Sequence, residues 1–203
     1  MLTIKTLPLG ENQTNCYLVW GGNSERCILI DPGYAPDYIL EQVDLLDKSV
    51  EAILLTHCHF DHVGAVQKIA EKTGCPVYVN KKEWAMPASW LFPINGTAID
   101  NLTYYQEGEK LSLAETEFLV LETPGHTPGC VCLLCEDVIF TGDTLFAGSI
   151  GRTDFPGGDW DVICGSLIRL SELDEALTVY PGHGESTTIG QENRTNPFVT
   201  RLI

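Results

Sequence analysis

Residues 51–62 read E-A-I-L-L-T-H-C-H-F-D-H, an apolar run of strand character that passes straight into three histidines and an aspartate. In extended backbone, side chains at i, i+2 and i+4 project to the same side. That spacing puts His57, His59 and Asp61 together and predicts that Cys58 and Phe60 turn the other way. Helical spacing resumes at His62, Val66, Ile69 and Ala70, so His62 opens a helix and approaches the same point from another angle. Gly74 is placed to cap that helix, and Pro76 prevents its continuation.

Outward from this stretch, strands are expected at residues 14–20, 27–31, 77–79, 116–122, 130–135, 137–141 and 177–180. One helix carries Ile39, Leu40, Val43 and Leu46 on a face, and another is expected at 160–170 with Val162, Ile163, Leu167, Ile168 and Leu170 inward. Strands interleaved with helices fit two packed sheets with helices outside, a layered α/β arrangement. No linker, charge block or repeat divides the chain, so one domain over 1–203 is expected.

The remaining histidines lie in turns of the same kind. His126 sits in T-P-G-H-T-P-G and His183 in Y-P-G-H-G, while Asp143 stands in T-G-D-T. All five histidines of the chain therefore fall in short motifs at expected strand ends. Concentrated imidazole and carboxylate suits transition-metal ligation. Four donors within 57–62 are too many for one small open site, so the natural division is two metals, with Asp143 able to bridge them.

Formal net charge is −16, which argues against nucleic-acid and membrane partners. No stretch approaches the roughly 20 apolar residues of a membrane span, and no export signal is seen, so a soluble cytoplasmic protein with eight reduced cysteines is expected.

The motifs T-H-C-H-F-D-H, T-P-G-H-T-P-G, T-G-D-T-L-F and Y-P-G-H-G resemble the metallo-β-lactamase superfamily. The run F-A-G-S-I-G-R-T-D-F-P-G-G-D is similar to its glyoxalase II (hydroxyacylglutathione hydrolase) and persulfide dioxygenase branch. The resemblance extends from Thr14-Asn15-Cys16-Tyr17 to Asn196-Pro197-Phe198. It implies a four-layer αβ/βα sandwich of two mixed sheets with the site at one edge. It also implies a first metal on His57, His59 and His126, a second on Asp61, His62 and His183, and Asp143 shared.

Two metals sharing a water can lower its pKa toward ~7. The expected activity is therefore hydrolysis, with Asp61 orienting the metal-bridging hydroxide, zinc as the metal, and iron or manganese as alternatives. The leading substrate is a glutathione-type or other small thioester. No histidine remains for a Ser/His/Asp triad, and antibiotic hydrolysis is not expected, because true β-lactamases generally lack a bridging aspartate at the Asp143 position. The main alternative is a persulfide dioxygenase with one iron on His57, His126 and Asp143; a metal-binding protein without turnover is the third. Glyoxalase II looks longer than this chain, which has 20 residues after His183, so its glutathione contacts do not carry over and a homodimer is one way to wall the site.

Four further features have structural and functional readings. Cys130, Cys132 and Cys135 lie in an apolar strand, where cysteine packs as a small hydrophobe. Asp31 is either a turn residue or an acceptor that orients a metal histidine. Arg152 and Asp154 are expected to pair and shape the loop after Asp143. Tyr78, Trp84, Trp90, Phe92, Tyr104 and Tyr105 are core, interface or a substrate groove.

Overall fold

Both faces of the central strands are apolar, and that property dictates the layers. The computed structural model describes residues 1–203. Its first sheet consists of β1 (Leu2–Leu9), β2 (Thr14–Gly21), β3 (Arg26–Ile30), β4 (Ser49–Leu54), β5 (Val77–Asn80) and β6 (Leu102–Tyr105), neighbours in that order. The second holds β7 (Lys110–Leu113), β8 (Thr116–Glu122), β9 (Val131–Cys135), β10 (Val138–Gly142), β13 (Thr178–Pro181) and β14 (Thr187–Thr188), ordered β14-β13-β10-β9-β8-β7. The hairpin β11 (Leu145–Phe146) and β12 (Ser149–Ile150) stands apart. Both large sheets mix parallel and antiparallel pairs, as expected.

Alternation along each strand feeds different cores. Ile28, Ile30, Ala52 and Leu54 point between the sheets, where they meet Phe118, Val120, Leu133 and Phe140. Their neighbours Cys27, Leu29, Ile53 and Leu55 point outward, under α1 (Pro36–Asp44) and α3 (Val66–Thr73) through Ile39, Val43, Val66 and Ile69. On the far side, Cys132, Ile139 and Val179 meet Ile163, Leu167 and Leu170 of α5 (Trp160–Ser171) and Ile189 of α6 (Ile189–Thr195). The result is helix, sheet, sheet, helix.

Several expectations need correction. The helix read from His62 onward is two pieces, α2 (Phe60–Val63) and α3, because the Ala65 N–H goes to the Pro32 carbonyl at 3.0 Å. Phe60 does not turn from the site; it opens α2 and lines the cleft there. On α5, Val162 and Ile168 are 42% and 38% exposed, so its buried face is narrower than expected. Edge strand β1, whose apolar side chains switch from even positions (Leu2, Ile4) to odd ones (Leu7, Leu9) across Lys5-Thr6, was not legible, nor were β6, β7 and α6. Gly74 does cap α3 at φ 70°, its N–H donating to the Ala70 carbonyl at 2.8 Å. No helix is long and apolar enough to cross a membrane.

Candidate metal centre

The site gathers where strands of both sheets end. β4 delivers His57 to His62, and β8, β10 and β13 end just before His126, Asp143 and His183. The last three strands run the same way, since β10 is parallel to β13 and two antiparallel steps from β8. The start of β2 holds the His183 loop. Asn15 donates through Nδ2 to the carbonyls of Pro181 and Gly184, both at 3.0 Å, and Tyr17 Oη donates to Pro181 O at 2.5 Å. Gly182 is required by close approach, because a Cβ there would collide with Asp143 Oδ1 and lie 2.7 Å from His62 Cε1.

The seven expected donors come together. His57, His59 and His126 have donor atoms within 4.8 Å of one another, as do Asp61, His62 and His183. Asp143 lies between the sets: Oδ1 is 3.3 Å from His62 Nε2, and Oδ2 is 3.6 Å from His126 Nε2 and 3.5 Å from His183 Nε2. His59 Nδ1 faces His126 Nε2 at 2.9 Å.

Most of the rings are fixed from behind. Nδ1 of His126 donates to the Arg152 carbonyl (2.7 Å), that of His183 to the Asn12 carbonyl (3.1 Å), and that of His62 to Asp31 Oδ2 (3.0 Å). His57 Nδ1 is 3.1 Å from the Thr56 hydroxyl. In each case Nε2 is left for the centre, the arrangement that supports metal ligation. His57 Nε2 is buried with no hydrogen-bond partner, which a polar group tolerates poorly unless a ligand takes it up. The donor set therefore suits a metal site.

The charges of the two sets differ. Burial holds His57, His59 and His126 below the usual imidazole range, His59 at about 3, so the first set is neutral. Burial also disfavours charge on His62 and His183, but nearby carboxylates outweigh it. Asp143 with Asp31 raises His62, and Asp143 with Asp61 raises His183 to about 9. Conversely, these imidazoliums overcome the desolvation of Asp61 and Asp143 and keep both ionised. Without metal, the imidazoliums of His62 and His183 are offset by the carboxylates of Asp61 and Asp143 together.

Asp31 orients His62, as one of its two readings anticipated. It holds a left-handed backbone at φ 50°, and Thr56 donates to it from N at 2.8 Å and Oγ1 at 2.5 Å. Arg152 and Asp154 pair in two contacts of 2.6 and 2.7 Å. Cys130, Cys132 and Cys135 are buried beside threonine hydroxyls, outside the centre. Of the aromatic group, Trp90 lines the cleft, Phe92 packs on the His59 ring, and Tyr105 is buried with its hydroxyl donating to the Leu55 carbonyl.

Sequence reasoning missed several supporting residues. Asn12 Nδ2 and Thr14 Oγ1 donate to Asp61 Oδ2 at 3.1 and 3.2 Å. Glu83, fully buried on the short α4 (Lys81–Trp84), accepts from Cys58 N (2.9 Å), Thr127 Oγ1 (2.6 Å) and Gly129 N (3.1 Å). It thereby ties the loop of His57 and His59 to that of His126. Glu192 accepts from Thr187 Oγ1 (2.7 Å) and Gly148 N (2.8 Å), linking the loops that follow His183 and Asp143. Nothing local marks these acids; each gains meaning only from donors far along the chain.

The family model described as metallo-β-lactamase superfamily matches residues 9–183. The hydroxyacylglutathione hydrolase GloC of Haemophilus influenzae is 36% identical, over 98% of each chain. Among solved structures, the B3 metallo-β-lactamase BLEG-1 is 35% identical at TM-score 0.86, over 98% of this chain and 100% of its own. TTHA1623, crystallised in a di-iron-bound form, is 38% identical at 0.86, over 96% and 99%. ETHE1 from Myxococcus xanthus is 30% identical at 0.83, over 98% and 89%.

Proposed function

The chain belongs to the metallo-β-lactamase superfamily, and from that premise we propose that it is a dinuclear metal-dependent hydrolase acting on small thioesters. The observation that carries the reading is the pair of three-donor sets with the Asp143 carboxylate between them. His57, His59 and His126 would hold one ion, Asp61, His62 and His183 the other, with Asp143 shared. Zinc suits these ligands, and the di-iron-bound relative supports two ions while favouring iron as the alternative. When bound, such a pair supplies Lewis acidity toward a carbonyl and a water acidic enough to attack near neutral pH.

The protein's own part is placement. Asn12, Thr14 and His183 fix Asp61 Oδ2 from three directions, so its carboxylate can receive the proton of the attacking water. Every histidine is committed to the centre, which leaves none as an independent acid. A thiolate departs without one, whereas a poorer leaving group needs help. Similarity to GloC supports the thioester reading.

A second reading rests on the likeness to ETHE1 and on the sequence's resemblance to persulfide dioxygenases: oxidation at a single iron held by His57, His126 and Asp143. The deciding assay compares hydrolysis of S-lactoylglutathione with oxygen uptake on glutathione persulfide. Hydrolysis without oxygen uptake is expected; brisk uptake without hydrolysis would overturn the proposal. A β-lactam belongs in the panel because of BLEG-1, and its hydrolysis in preference to thioesters would also overturn it.

A further inference from the structure

The cleft above the centre has a volume of about 490 Å³, and its two sides differ in character. One side is the donor set. The other is an apolar wall of Phe60, Trp90, Leu91 and Phe155. Trp90 is 70% exposed although it sits in an anchored segment, with Leu91 and Phe92 buried beside it. Asn95, also buried, ties that segment down by donating to the carbonyls of Glu83 (2.8 Å) and Met86 (3.1 Å). The indole is braced by Phe60 and Phe155, each with ring centroids 5.9 Å away. Exposing so large an aromatic surface on a fixed support is unfavourable unless something covers it.

The wall carries little charge. Arg152 is the only lysine or arginine lining the cleft. Its guanidinium lies on the Phe155 ring at 3.7 Å, and Asp154 takes it in two contacts. Away from the metal donors, a carboxylate-rich ligand therefore finds one guanidinium, already paired.

We propose that this wall is the subsite for the non-reacting part of the substrate, and that it selects thioesters bearing an uncharged aromatic or apolar group over glutathione thioesters. The proposal rests on the thioester reading above and narrows its substrate class. Continuity with the centre supports it, since the His59 ring itself packs on Phe155 at 6.1 Å, so a group lying on the wall reaches the donors directly.

The test uses metal-loaded protein and two thioesters with one acyl group, made from glutathione and from benzyl mercaptan, which have similar leaving abilities. Binding of the matching non-hydrolysable thioethers is measured by calorimetry. The benzyl compound should show the lower KM and bind about tenfold tighter, as one aromatic contact allows. Trp90→Ala should remove most of that advantage in both KM and Kd and weaken the glutathione compound less. Preference for glutathione, or equal weakening of both ligands, would overturn the proposal. If neither thioester is hydrolysed while the benzyl thioether still binds tighter, the thioesterase reading fails and the subsite stands. Hydrolysis without preference fails the subsite alone.

Discussion

Replacing Glu83 by alanine tests how the loops of the first ligand set are held. The change strands the Cys58 N–H, the Thr127 hydroxyl and the Gly129 N–H, all partnered by this one carboxylate. Each buried donor left unpaired costs about 1–3 kcal/mol. Part is recovered because burial pushes the Glu83 carboxyl up, so its charged form is itself costly to bury. A net loss of about 3 kcal/mol is expected for Glu83→Ala and about 1 kcal/mol for Glu83→Gln, which keeps one acceptor oxygen. Urea denaturation of metal-free and metal-loaded protein measures it, with the loaded form losing more because the freed loops carry His57, His59 and His126. An alanine variant with an unchanged midpoint in both forms would refute the reasoning.

Three further outcomes are expected. Gly182→Ala should fold yet bind the second ion poorly, since the new Cβ displaces Asp143 and His62; metal analysis showing a full complement would contradict this. In metal-free protein, His183 is raised from its ordinary 6.5 to about 9, so its stabilising charge is present below about pH 6.5 and is lost as pH rises through 9. The stability advantage of wild type over His183→Asn should shrink across that window; denaturation curves showing it growing would reverse the assigned sign. Seven cysteines are buried and Cys164 is partly exposed, so native protein should offer at most one prompt thiol to a disulfide reagent. Prompt reaction of several would contradict the packing of Cys130, Cys132 and Cys135.

The layers were legible because they rest on strand periodicity. Leu29 and Ile30, or Ile53 and Leu54, are apolar neighbours that serve opposite faces, which marks a sheet covered on both sides. The donors were legible because four crowd into T-H-C-H-F-D-H and the other three, His126, Asp143 and His183, stand beside glycines that permit sharp turns. The supports were harder to see. Glu83 in K-K-E-W looks like a surface acid until Thr127 and Gly129 arrive from beyond β8. Phe60 defeated strand alternation because α2 begins at that residue. Edge strand β1 escaped notice because a strand partnered on one side carries mixed side chains.

The most direct test of the central claim is metal analysis of protein purified without added metal, with thioester hydrolysis followed on the same sample. Two divalent ions per chain are expected, and removing them with a chelator should abolish turnover until they are restored. A single iron per chain, with full activity at that stoichiometry, would contradict the dinuclear account.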